Sequence, residues 1–100
     1  MKIKGLRPGM EGVDLEVSIL RLEEQREVTA HSGITHFIVE GEVEDDSGSI
    51  RLTVWNESIE QLMNVNLGNR LELKNCFITS FKGVLSVNVG RESKVLQLDE

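Results

Sequence analysis

Trp55 closes a run, Ser49-Ile50-Arg51-Leu52-Thr53-Val54-Trp55, in which apolar and polar residues alternate strictly. A β-strand sends successive side chains to opposite faces. Ile50, Leu52 and Val54 therefore share one face, and Arg51, Thr53 and Trp55 share the other. Further along, Cys76 and Ile78 alternate with Phe77, Thr79 and Phe81. With Cys76 and Ile78 turned toward a core, both phenylalanines turn away from it. Three of the chain's four aromatic residues then point to solvent from polar strand faces. That placement is costly unless something flat covers the rings, and nucleic-acid bases are flat. Each stacked base contributes about 1–3 kcal/mol, so three platforms supply roughly 3–9 kcal/mol gross. After the cost of ordering the strand, an affinity near micromolar, about −8 kcal/mol, is expected.

Other side chains fit the same chemistry. Arg51, on the face of Trp55, can pair with a phosphate or lay its guanidinium plane on a base. Lys82, Lys74 and Arg91 are placed to follow a sugar–phosphate backbone. Thr53, Thr79 and Asn88 share the outward phase and offer hydrogen bonds to sugars, phosphates or base edges. Arg26 and His31 fall in a polar stretch that reads as a solvated loop.

Catalytic and metal chemistries find little support. His31 and His36 lie five residues apart with no cysteine or carboxylate set at ligand spacing. Ser58 and Ser80 have no identifiable His and Asp partners. Cys76 sits on the inward phase as a small core residue. Glu40, Glu42, Glu44, Asp45 and Asp46 follow no calcium-loop pattern and read as a solvated acidic face. No glycine-rich loop precedes a helix. The expectation is a non-catalytic chain that needs no metal and no cofactor.

The formal net charge of −6 argues at first against a polyanionic partner. Its distribution argues otherwise. Residues 1–49 carry five basic and eleven acidic side chains, whereas residues 50–94 carry six basic and four acidic, a balance of +2. The outward aromatics lie in the one segment with a positive balance. The lone cysteine excludes an internal disulfide and points to a reducing compartment, the cytoplasm and its nucleoid. No apolar run approaches the roughly 18 residues of a membrane span, and the start of the chain shows no signal-peptide pattern.

The elements that must position these residues are strands. The first runs from about Val13 to Leu22, with Val13, Leu15, Val17 and Ile19 in alternation. Residues 23–34 read as a long loop or ragged hairpin. The second strand is about Thr35 to Glu44, with Phe37, Val39, Gly41 and Val43 on one face. A tight turn, Asp45-Asp46-Ser47-Gly48, leads into the third strand, Ser49 to Trp55. Ser58 is placed to cap a short helix bearing Ile59, Leu62 and Met63 at helical spacing. The fourth strand, about Arg70 to Phe81, changes phase near Lys74-Asn75, the mark of a β-bulge. Lys82-Gly83 closes a hairpin into the fifth strand, Val84 to Val89, with Leu85, Val87 and Val89 inward. Lys94 to Leu98 either extends the sheet or pairs with the first strand. One domain over residues 1–100 is expected. Its fold class is all-β: an OB-fold, a five-stranded, partly open Greek-key barrel with a short helix between strands three and four.

Three stretches carry a family resemblance. They are Leu6-Arg7-Pro8-Gly9-Met10-Glu11-Gly12, then Asp46-Ser47-Gly48-Ser49 through Trp55, and Phe77-Ile78-Thr79-Ser80-Phe81-Lys82-Gly83 through Arg91. In these the chain resembles the simple single-stranded DNA-binding proteins of archaea, their eukaryotic relatives, and the OB modules of archaeal replication protein A. The resemblance implies base stacking on Trp55, Phe77 and Phe81, and a role in replication, repair or recombination with little sequence preference. It also implies other OB domains or replication proteins as partners. Phe77 departs from the Trp or Tyr common among relatives, and Asn88 stands where some eukaryotic relatives carry an aromatic. Two other uses of such a fold remain: docking a basic protein partner on the acidic first half, and binding single-stranded RNA.

Overall fold

The computed structural model describes residues 1–98, which form one sheet wrapped around one core. Its strands are β1 (Val13–Leu22), β2 (Arg26–Thr29), β3 (Thr35–Asp45), β4 (Gly48–Trp55), β5 (Arg70–Phe81), β6 (Val84–Val89) and β7 (Lys94–Gln97). Pairing follows the order β1-β3-β4-β6-β5, and β5 returns to β1, which closes a five-stranded barrel. All barrel pairs are antiparallel except β4 with β6, which is parallel. Closure removes the free edges that an open sheet would expose. The inward residues of each strand fill the interior. Leu15, Ile19, Val43, Leu52, Val54, Leu71, Leu73, Cys76, Ile78, Val87 and Val89 are almost completely buried. The OB topology expected from the alternation is therefore present.

Two irregularities bend the strands enough to close the barrel. β5 carries an extra residue against β1, where Val13 pairs with Cys76 but Leu15 pairs with Leu73. Asn75 in this bulge has a φ of +57°, the left-handed conformation that Asn tolerates best among residues other than Gly. This is the phase change expected at Lys74-Asn75. A second shift, between Ile19 and Arg21, lets β1 curl over β3. There Gly41 passes so close that a Cβ on it would meet the Arg21 carbonyl oxygen. The β5–β6 turn is made by Lys82 and Gly83, both at positive φ, which matches the twist of the two strands.

The 23–34 stretch is the ragged hairpin: β2 pairs with the first residues of β3 and extends the ribbon past the barrel. Phe37 lies in that extension, opposite Glu27. It is 42% exposed, not inward with Val39 as its phase predicts. The ribbon has outrun the core at that point, so parity no longer decides burial. β7 joins the sheet on β5, at Leu71 to Lys74, and does not pair with β1.

The segment after β4 is a 3-10 helix, Asn56–Leu62. Ile59 and Leu62 pack against the core, whereas Met63 lies outside it, 72% exposed. Ser58 does not cap this helix. Its buried hydroxyl instead donates to the Gly90 carbonyl, at 2.7 Å. At the other end, a short 3-10 helix, Ile3–Gly5, places Ile3 in the core with Leu6 close behind it. Asp45 anchors this helix, accepting from the Ile3 N–H at 2.8 Å and from the Ser47 N–H and hydroxyl at 2.7 and 2.6 Å. Burial pushes the Asp45 carboxyl up, but these hydrogen bonds, with Lys2 nearby, together hold it below the ordinary carboxylate value.

Candidate nucleic-acid interface

The outer face of β3, β4, β6 and β5 can be read as rows of paired residues. Glu40, Thr53, Asn88 and Phe77 form one row. Glu42, Arg51, Ser86 and Thr79 form the next. Trp55 stands beyond the first row, opposite Ile38. Phe81 stands beyond the second, opposite Val84 at the hairpin end. Strands lie about 4.8 Å apart and rise about 3.3 Å per residue. Trp55 and Phe77 are thus roughly 12 Å apart along the backbone surface, and Phe77 and Phe81 roughly 13 Å. A path of about 25 Å suits a strand of several nucleotides.

The three rings differ in how they are held. Trp55 is half-buried; its indole N–H donates to the Asn88 Oδ1 at 3.0 Å. The His36 ring forms a T-shaped pair with it, with centroids 5.7 Å apart and planes at 87°. Phe77 is also half-buried and lies over Gly90, where an added Cβ would sit 2.9 Å from its ring. Phe81 is 70% exposed, with the Lys82 ammonium 5.3 Å from its centroid. No ring belongs to the barrel core.

The polar candidates sort into three groups. Arg51, Lys82 and Arg91 are exposed, and among the described residues none of them has an ion-pair partner. Arg91 lines a cleft of about 380 Å³ with Phe77, Gly90 and Asn75. Thr79 is exposed, and its hydroxyl oxygen accepts from the Asn88 amide at 3.0 Å. Lys74 is already engaged, lying 3.6 Å from Glu72 and 3.9 Å from Asp14, and so turns toward the acidic flank of β1.

Thr53 and Asn88 are covered. Both are on the outward phase, yet they are only 6% and 3% exposed. The Thr53 and Ser86 hydroxyls share a hydrogen bond at 3.0 Å, and Asn88 is bonded entirely within the protein. Parallel β4–β6 pairing sets Thr53 against Ser86 and Asn88 against Trp55, so neither offers its polar atoms to solvent.

Three residues at this face carry no signal in the sequence. His36 meets Trp55 only through the β3–β4 register, Ser86 supports Thr53, and Gly90 makes room for Phe77. On the β3 side the outer row is acidic: Glu40 pairs with Arg26 at 2.7 Å, while Glu42 faces Arg51 across the strand pair. Cys76 is buried in the barrel, and burial pushes its thiol up to about 11. No group of three or more His, Cys, Asp or Glu side chains is arranged to hold a metal ion among the described residues. No helix there is long and apolar enough to cross a membrane.

The chain was compared with known proteins. A family model described as single-stranded DNA binding protein Ssb-like, OB fold, matches residues 6–97. The single-stranded DNA binding protein Ssb of Saccharolobus solfataricus is 29% identical over 99 residues, which are 99% of this chain. The chain spans 64% of that relative's length. Among solved structures, the replication factor A related protein from Methanobacterium thermoautotrophicum superposes with a TM-score of 0.82 at 24% identity, covering 99% of this chain and 90% of that one. The second OB-fold domain of replication protein A from Methanococcus maripaludis gives 0.79 at 21% identity, covering 100% and 95%. Both share the fold.

Proposed function

Because the chain belongs to the Ssb-like family of single-stranded DNA-binding OB folds, we propose that it binds single-stranded DNA with little sequence preference on the outer face of β4, β6 and β5. One observation carries the reading. Three rings lie outside the core along one continuous face, and three cations that form no ion pair among the described residues border it. Trp55, Phe77 and Phe81 supply flat surfaces that accept any base, since every base has a π-face. Arg51, Lys82 and Arg91 neutralise phosphates, and no ion pair with a described residue has to break first. The acidic row on β3 repels the backbone and confines it to the β5–β6 side. Thr79, exposed beside Phe77, hydrogen-bonds the sugar or phosphate, whereas Thr53 and Asn88 act from beneath.

The chain serves as one OB module, residues 1–100, without catalysis, in replication, repair or recombination, beside other OB domains or replication proteins. Titration of the Trp55 fluorescence with oligo-dT tests the central claim. Quenching that saturates in the micromolar range at low salt is expected. No change in emission at those concentrations refutes the proposal. Competition between matched DNA and RNA oligomers then separates the two single-stranded ligands, since the stacking platform alone accepts both.

A further inference from the structure

We propose that Asn88 is the positioning residue of this face: it fixes the orientation of the Trp55 indole before any ligand arrives. The inference rests on the reading of the face as a single-stranded DNA site and adds what makes its largest ring a rigid platform.

Trp55 is the last residue of β4, and the backbone turns immediately after it, at Asn56 with φ of +48°. A ring at such a strand end has neighbours on one side only. Two groups hold it here. The His36 ring stands perpendicular to it, with centroids 5.7 Å apart, and Asn88 accepts its N–H at 3.0 Å. Asn88 is itself held fast. The two hydrogens of its amide nitrogen are shared among the Phe77 carbonyl at 3.2 Å, the Ser86 carbonyl at 3.2 Å and the Thr79 hydroxyl at 3.0 Å. At 3% exposure the side chain has no water to exchange these partners for.

The chemistry of the partners requires a group that both accepts and donates. An indole N–H only donates, so the group facing it must accept. The two carbonyls only accept, so the group facing them must donate. A side-chain amide does both at once. A carboxylate of the same shape would turn an acceptor on two carbonyls, and a leucine would leave all of them unpaired. The amide orientation is settled by the same argument. The Oδ1 is thereby fixed by β5 and β6, and the indole of β4 is aligned on it across the parallel pair.

A platform held in this way loses little side-chain freedom when a base stacks on it. Freeing it restores that cost, which corresponds to about a three- to ten-fold loss of affinity. Trp55 is the only tryptophan of the chain, so its indole N–H gives a single resonance. In the free wild-type protein that proton is expected to be protected from solvent exchange by roughly ten-fold or more relative to a free indole. Exchange at the free rate would overturn the proposal without any variant being made. Asn88→Ala should release the proton and weaken binding of a fluorescently labelled oligo-dT by about three- to ten-fold. On a Trp55→Phe background, where there is no N–H to hold, the same substitution should weaken binding less than about two-fold. Equal losses on both backgrounds would show that Asn88 acts elsewhere and would overturn the proposal. If the wild-type protein binds the oligomer and Asn88→Ala binds it equally well, the positioning role falls and the DNA site stands. If the wild-type protein does not bind, the DNA reading falls and takes this inference with it.

Discussion

Removing Trp55 and removing Phe81 should have similar effects on binding and different effects on stability, because the two rings are embedded differently. Trp55→Ala deletes a stacking surface contributing about 1–3 kcal/mol, which is roughly a 5- to 150-fold loss in affinity. It also strips the Asn88 Oδ1 of the N–H it accepts at 3.0 Å. Leaving that buried acceptor unpaired costs about 1–3 kcal/mol of folding stability. Phe81→Ala deletes a ring that is 70% exposed and lies outside the core cluster. Its stability change should stay within about 0.5 kcal/mol, as for most surface substitutions, while its affinity loss should again be about 1–3 kcal/mol. The rings are roughly 22 Å apart across the face, so the double variant should show nearly additive losses. Urea denaturation gives the stabilities, and anisotropy of a labelled oligo-dT gives the affinities. A change of less than two-fold in affinity for both single variants, in folded protein, would refute the stacking argument. A stability loss from Phe81→Ala as large as that from Trp55→Ala would refute the difference in how the two rings are embedded.

Three further outcomes are expected. The log–log salt dependence of binding should be shallow, with a slope of about −1 to −3, and Arg51→Gln should reduce its magnitude by about 0.7; an unchanged slope would place Arg51 away from any phosphate. Gly41→Ala should destabilise the fold by more than about 3 kcal/mol, because its Cβ would meet the backbone oxygen of Arg21, which cannot turn aside; a native-like melting temperature would show that the β1–β3 crossing is looser than described. The Asp45 carboxyl is held below its ordinary value in the folded state. Its contribution is therefore complete above the unfolded carboxylate value, about pH 4, and is lost as pH falls through the lower folded value. Asp45→Asn should flatten this acid limb in melts recorded from pH 6 to pH 2, and an identical pH profile would refute the assignment.

The strictly alternating stretches determine local structure through side-chain parity, and parity is a property of sequence. Ile50 to Trp55 and Cys76 to Phe81 reveal which rings leave the core, because each side chain's face follows from its place in the strand. The Lys74-Asn75 phase change announces the bulge for the same reason. Parity says nothing of what lies alongside. Phe37 has the right phase for burial and is exposed because its ribbon extends past the core. Lys74 is a free cation on paper, but in the fold it is occupied by Asp14, sixty residues away in the chain, and by Glu72.

Strand membership and the outward direction of the three aromatics were thus determined by the order of residues alone. Tertiary structure decided which outward residues are open to solvent. Asn88 and Thr53 are outward by phase and covered in fact, since parallel β4–β6 pairing sets Asn88 beneath Trp55 and Thr53 against Ser86. That pairing joins residues more than thirty positions apart. It is set by closure of the barrel around one core, and no local pattern of hydrophobic and polar residues contains it.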